Sequence, residues 1–155
     1  MPDFKLIDVA EQPYIYVDRK CAMVPAEIGK AMETAFGDIF AFMQENGIEP
    51  VEGPLSVYYS YDPETVEFRA GMFVSGDDAK KASGAVKADV TPAGRVVSFA
   101  HIGPYSKLGE SYGQLMGWLE TEGLTIGAPT WEVYMNDPDT TPPDELHTDI
   151  YVSLA

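Results

Sequence analysis

A chain of 155 residues that is 45% hydrophobic has the size and composition of one globular domain with one core, which excludes disordered, collagenous and coiled-coil architectures. Twenty-five acidic against ten basic residues give a formal charge of -15, and nine carboxylates but no Lys or Arg follow Lys107. Such a surface repels phosphate, so DNA, RNA and anionic membranes are poor direct partners and cationic partners are favoured, with simple solubility as the other reading of the charge.

The lone Cys21 permits no intrachain disulfide and no cysteine-based metal cluster. Apolar runs fall short of the roughly 18 residues needed to span a bilayer. The N-terminus from Met1 to Lys5 lacks a signal pattern, so a cytoplasmic location is expected.

In chain order, a β-type run from Tyr14 to Val24 precedes a stretch in which Ile28, Met32, Ala35, Phe36, Ile39, Phe40 and Met43 recur at helical spacing. Pro25 ahead of it and Gly47 behind it suit a helix start and a left-handed helix end, which predicts a helix over about residues 26–46. Two strands follow, Leu55 to Tyr61 and Val66 to Val74, and then a polar, small-residue stretch over about 77–92 reads as a connector. The series then repeats. Arg95 to Ile102 reads as a strand, and Leu108, Tyr112, Leu115, Met116 and Leu119 predict a helix over about 105–122 between Pro104 and Gly123. Thr130 to Asn136 and Thr148 to Leu154 read as the closing strands.

The two halves share a motif as well as an order. GIEPVEGPLSVYYSYDP and GLTIGAPTWEVYMNDP align so that Pro54, Tyr59, Asp62 and Pro63 match Pro129, Tyr134, Asp137 and Pro138. The predicted fold is therefore α+β: duplicated strand-helix-strand-strand units with pseudo-twofold symmetry, antiparallel sheets, one long helix per repeat and a ligand cleft between repeats. Repeat one covers about 4–76 and repeat two about 93–155, within a single domain.

Strand alternation separates Trp131, Val133 and Met135 from Glu132 and Tyr134, and Ile150, Val152 and Leu154 from Tyr151. The first set is expected to cover a helix, with Trp131 supporting its strand from that side, which leaves Glu132, Tyr134 and Tyr151 to share the other face. The motif alignment sets Val57 against Glu132, Tyr59 against Tyr134 and Phe73 against Tyr151. The expected ligand-binding set is thus Glu132, Tyr134, Tyr151, Tyr59 and Phe73, with Trp131 in support. Aromatic walls and one carboxylate suit an amphipathic cation, because rings supply apolar contact and cation-π attraction and the carboxylate supplies counter-charge. The same residues also fit ordinary sheet packing with a solvated acid. If enclosed, Glu132 would have a raised pKa and could move a proton, with Tyr134 holding a substrate oxygen or a water.

No other constellation carries chemistry. His101 and His147 lack metal-ligand spacing, Asp137-Pro138-Asp139 lacks the rest of a calcium loop, and no GxSxG, GxGxxG or P-loop occurs. No metal and no cofactor are expected.

From His101 to Leu154, the Gly103-x-Tyr105 opening of the second helix, the strand WEVYMNDP and the strand TDIYV resemble the GyrI-like small-molecule-binding family, also called the bacterial effector-binding domain; PLSVYYSYDP and FRAGMFVS extend the resemblance to the first half. The resemblance implies a duplicated fold with an inter-repeat ligand cleft. It also implies one of three roles: sensing a drug-like effector for a transcription activator, protecting gyrase through a protein partner, or hydrolysing cyclopropane-bearing genotoxins with Glu132 and Tyr134 as catalytic groups. Glu132 takes the place of the family's acidic residue that contacts lipophilic cations. With no helix-turn-helix region in this stretch, transcriptional control would need a separate DNA-binding partner. The ligand expected on this reading is a lipophilic cationic or aromatic small molecule. The oligomeric state stays open.

Overall fold

The computed structural model describes residues 3–59, 64–137 and 139–155. Eight antiparallel strands form one sheet: β1 (Lys5–Val9), β2 (Pro13–Ala22), β3 (Pro54–Tyr58), β4 (Thr65–Phe73), β5 (Lys87–Val90), β6 (Gly94–Ile102), β7 (Ile126–Tyr134) and β8 (His147–Leu154), in the order β1-β6-β8-β7-β3-β4-β2-β5. The helices are α1 (Pro25–Asn46), the single turn α2 (Gly76–Ala79) and α3 (Leu108–Glu122), the last entered through a 3-10 turn at Tyr105–Lys107.

α1 starts at its proline and both long helices stop at their glycines as expected, but α3 begins at Leu108, three residues later than expected, because the turn after Pro104 is 3-10. Pro25 opens α1, where its missing N–H costs nothing, and Gly47 (φ 62°) and Gly123 (φ 69°) close α1 and α3 in the left-handed region. Each helix buries one stripe. Ala35, Ile39 and Met43 of α1 pack on Ile15 and Val17 of β2 and on Phe68, Ala70 and Met72 of β4, whereas Leu115 and Leu119 of α3 pack on Val97 and Phe99 of β6 and on Ile150 and Val152 of β8. Each fully buried aliphatic side chain contributes roughly 1.5–3 kcal/mol.

The sheet is strongly curled. β1 and β2 stand six strands apart in the order yet are joined by residues 10–12 alone. A flat sheet would put them about 29 Å apart, and three linking residues reach only about 14 Å. The same holds for β5 and β6, and the two linkers meet: Thr91 N donates to Gln12 O at 2.9 Å and Gln12 N to Thr91 Oγ1 at 3.1 Å. Curling encloses a second core on the face away from the helices, formed by Tyr14, Tyr16, Leu55, Val57, Phe73, Val96, Trp131 and Val133, with Ile7, Val9 and Tyr151 packed against it.

Several expectations are corrected here. Among the described residues the strands form one sheet rather than separate sheets, β1 was not anticipated, and the expected connector contains β5 and the end of α2. The face of Trp131 and Val133 does not cover a helix; it fills the inner core, where Trp131 stacks on Tyr151 at 5.3 Å between ring centroids. Tyr151 therefore shares the face of Trp131, not that of Glu132, because β7 and β8 pair Trp131 with Tyr151 and Glu132 with Ile150. Phe73 also lies in the inner core. Of the shared motif, Asp62, Pro63 and Pro138 lie outside the described residues.

Gly71 of β4 marks the tightest approach in the sheet, since a Cβ there would sit 2.2 Å from Ile15 O and 3.1 Å from Tyr16 Cβ. Backbone cannot yield cheaply. Gly71→Ala is expected to cost about 3 kcal/mol, which lowers the midpoint of thermal unfolding followed by circular dichroism by roughly 6–12 °C; an unchanged midpoint would contradict the packing described.

Candidate functional site

Because α1 covers β2 and β4 while α3 covers β6 and β8, the central strands β3 and β7 are left as the floor of a cleft between the helices. Its volume is about 1670 Å³, larger than the roughly 300–1,000 Å³ of an ordinary ligand pocket. Each helix lends it a second stripe beside the core one. Met32, Phe36 and Phe40 line it from α1, and Leu108, Tyr112 and Met116 from α3, each at four-residue spacing. Phe40 and Met116 are about half exposed, an unfavourable placement unless something covers them.

Glu132 lies at the middle of this floor and is only 4% exposed. Across the sheet it shares a row with Ala70, Ser56, Ile150 and Phe99, whose outer members sit under the helices. Tyr112 Oη of α3 donates to Glu132 Oε2 at 2.6 Å, and Tyr134 Oη donates to Oε1 at 2.9 Å while also contacting Ser56 Oγ at 2.9 Å. The Tyr58 hydroxyl bonds to Ser56 and Tyr134 in turn. One carboxylate and four hydroxyls thus form a continuous buried network spanning β3, β7 and α3.

Burial pushes the Glu132 carboxyl above the usual carboxylate range, against the opposing pull of hydrogen bonds from Tyr112 and Tyr134 and the field of His101. Burial also raises Tyr58 and Tyr134, and the negative charge of Glu132 raises both further. These tyrosines keep their protons and act as donors. Tyr105, with its ring 5.6 Å from that of Tyr134, is raised by burial and then by Asp137 and Glu132.

Five carboxylates line the cleft, those of Glu33, Glu52, Glu132, Asp137 and Asp139, and no Lys, Arg or His is among the described residues lining it. Groups able to carry positive charge are therefore absent from its described lining, and its carboxylates lie over an apolar, aromatic and methionine-rich wall. Methionine and exposed rings adapt to ligands of differing shape at little cost. Among the described residues no three His, Cys, Asp or Glu side chains are grouped to hold a metal ion. Among the described residues no helix is long and apolar enough to cross a membrane.

The structure brings Glu132 and Tyr134 together and separates the remaining expected site residues from them. Trp131, Phe73 and Tyr151 lie in or against the inner core, and Tyr59, 44% exposed, stacks beside the Arg69 guanidinium at 4.5 Å from its ring centroid. The strand register puts Ser56, not Val57, across from Glu132. Tyr58 therefore takes the place in the cleft expected of Tyr59. Tyr112, Phe36 and Phe40 had been counted with the helix cores; their signal was an apolar stripe wider than one packed face requires. Tyr105 was marked only as part of the Gly103-x-Tyr105 motif, without a cleft role, and Ser56 carried no signal of its own.

A family model described as the GyrI-like small molecule binding domain matches residues 2–155. No curated protein sequence is matched. Among solved structures, the EcmrR C-terminal domain superposes with a TM-score of 0.77 at 22% identity over 100% of this chain and 98% of that one. A hydrolase from Listeria innocua superposes with a TM-score of 0.66 at 20% identity, covering 98% of this chain and 91% of that one. SAV2435 bound to tetraphenylphosphonium gives a TM-score of 0.66 at 12% identity, covering 99% and 94%. At these identities the likeness establishes the fold.

Proposed function

The chain belongs to the GyrI-like small-molecule-binding domain family, and from that premise we propose that its inter-helix cleft binds an amphipathic cationic or aromatic small molecule, as a sensor or a sequestering protein. The observation that carries the reading is the Glu132 carboxylate, buried at the floor of a cleft whose described lining contains no basic residue. A buried charge without a cation is costly, and a ligand cation would repay that cost while its apolar groups cover Phe40 and Met116. Tyr134 is a wall as expected, and Tyr58, Tyr105, Tyr112, Phe36 and Phe40 take the place of Tyr59, Tyr151 and Phe73 beside it. The tetraphenylphosphonium-bound neighbour supports the ligand class.

We also read the two strand-helix-strand-strand halves as copies of one unit. Ile39 and Leu115, Phe36 and Tyr112, Gly47 and Gly123, Ser56 and Glu132, and Tyr58 and Tyr134 occupy corresponding places, each pair 76 residues apart. On this reading the second copy alone carries the carboxylate and its α3 donor, so the ligand's charge lies nearer that half.

Calorimetric titration with tetraphenylphosphonium, neutral triphenylphosphine oxide and a bile-acid anion tests the proposal. The cation is expected to bind at least about tenfold more tightly than the neutral compound, equivalent to about 1.4 kcal/mol, and the anion not at all. Equal affinity for all three would remove the role given to Glu132. Because cation binding favours the ionised carboxyl, affinity is expected to rise with pH until Glu132 is fully ionised in the free protein.

A second reading is favoured by the direct Tyr134–Glu132 hydrogen bond. In a hydrolase, Glu132 would take the proton of a water whose oxygen bonds to a carbon of the strained ring as a ring C–C bond breaks, the released electron pair passing to a conjugated carbonyl oxygen that Tyr134 hydrogen-bonds. An electrophilic cyclopropane left intact after prolonged incubation with excess protein would rule that reading out.

A further inference from the structure

His101 lies outside the cleft lining and only 5% exposed, near the end of β6. Its ring joins β6 to two segments, the first turns of α3 and the stretch before the 3-10 turn. Nδ1 is 2.7 Å from Ser111 Oγ on α3, and Nε2 is 3.1 Å from Pro104 O ahead of the 3-10 turn. The carbonyl of Pro104 can only accept, so in the neutral imidazole Nε2 carries the hydrogen and Nδ1 accepts from the Ser111 hydroxyl. The residues next to these two contacts are Tyr105 and Tyr112. Tyr105 packs its ring against Tyr134, and Tyr112 donates the 2.6 Å hydrogen bond to Glu132.

Besides this clasp and the Tyr112–Glu132 bond, α3 rests on the sheet through apolar contacts of Leu108, Tyr112, Leu115 and Leu119, the Tyr112 ring standing edge-on to Phe99 at 6.2 Å between centroids. Apolar contacts are non-directional and tolerate sliding, whereas an imidazole fixed at both nitrogens sets the height and rotation of the first turns of α3. We propose that His101 is a positioning residue, which acts through Ser111 to hold the Tyr112 hydroxyl on Glu132 and so sets how readily that carboxylate ionises for a cation. The inference rests on the reading of Glu132 as the cation's counter-charge.

The groups that face Glu132 are Tyr112 from α3, Tyr134 from its own strand, Ser56 and Tyr58 from β3, Tyr105 from the 3-10 turn, and His101 through space. His101 itself faces Ser111, the Pro104 carbonyl and, across the strand pair, Thr148. Two routes could therefore link His101 to Glu132, one through the Tyr112 bond and one through the direct field of a charged imidazole. They differ in additivity.

The test is a ligand-free titration of the Glu132 carboxyl by carbon-13 NMR in the wild type, His101→Leu, Tyr112→Phe and the double variant, with Glu132→Gln assigning the signal. Each single change is expected to raise the Glu132 midpoint by about one pH unit, the order of one hydrogen bond to a charged group. The double variant is expected to match Tyr112→Phe alone. Ser111→Ala, which breaks the clasp from the helix side, should reproduce His101→Leu, and His101→Asn, whose Oδ1 can accept from Ser111, should retain the wild-type midpoint. An unmoved midpoint in folded Ser111→Ala, or full additivity in the double variant, would overturn the proposal. Since no ligand is present, this outcome is independent of whether the cleft binds cations. If it does, His101→Leu should lose the preference for tetraphenylphosphonium over triphenylphosphine oxide, whereas equal losses for both would mean a structural role only.

Discussion

Glu132→Gln is expected to bind tetraphenylphosphonium at least about tenfold more weakly than the wild type, and yet to melt at a higher temperature at pH 8 in the absence of ligand. Both effects have one origin. The carboxyl is buried, and its pKa is raised in the folded state chiefly by that burial. A carboxyl with a raised folded pKa contributes stability that is fully present below its unfolded pKa and lost as pH rises through the folded one. The wild type therefore loses stability over that window and the glutamine variant does not. The difference in melting temperature should be small at acidic pH, grow as pH rises, and level off once Glu132 is ionised. The amide can still accept from one tyrosine and donate to the other, so the network need not break. Saturating cation should reverse the order, because a ligand specific to the folded state raises the wild-type midpoint by mass action. Thermal melts across pH with and without tetraphenylphosphonium check this; parallel melting-temperature profiles for the two proteins would show that Glu132 is neither strained nor the counter-charge.

Trp131→Ala is expected to have the largest effect on stability and none on ligand selectivity. The indole is 3% exposed, stacks on Tyr151 and belongs to the core enclosed by the curl of the sheet. Removing it leaves a cavity among side chains drawn from several strands, which local collapse cannot fill, at about 3–5 kcal/mol. For a chain of this length that is roughly 6–20 °C in the unfolding midpoint. Trp131→Phe, which fills most of the volume, should stay folded and bind tetraphenylphosphonium with wild-type affinity, because its side chain points away from the cleft. A stable Trp131→Phe with weakened binding would place the indole in the ligand site instead.

These two neighbours on one strand show where reading the chain alone succeeds and where it stops. The helices were legible because their periodicity, Pro25 and the two closing glycines are local signals. The separation of Glu132 from Trp131 was equally legible, since alternation along a strand is a property of the backbone. Which of those faces meets the helices was not. Matching Pro54 with Pro129 placed Val57 against Glu132, one residue away from the observed Ser56 pairing, and a one-residue slip exchanges the faces of a strand. Tyr59 was misplaced as a result and Tyr58 was passed over, whereas Trp131, Tyr151 and with it Phe73 were misplaced because the β7–β8 register and the face that meets the helices are set by tertiary pairing.

Taken by itself, the amino-acid order determined the α+β class, the two long helices, the acidic character, and Glu132 with Tyr134 as a pair on one face, because each depends on neighbours within a few residues or on composition. Tertiary structure decided the rest. Curling, imposed by the short β1–β2 and β5–β6 links, created an inner core that took Trp131, Phe73 and much of Tyr151 out of contention. The gap between the two helices then assigned the ligand-facing role to Tyr112, Phe36 and Phe40, since a helix stripe becomes core or cleft only according to whether a strand lies beneath it.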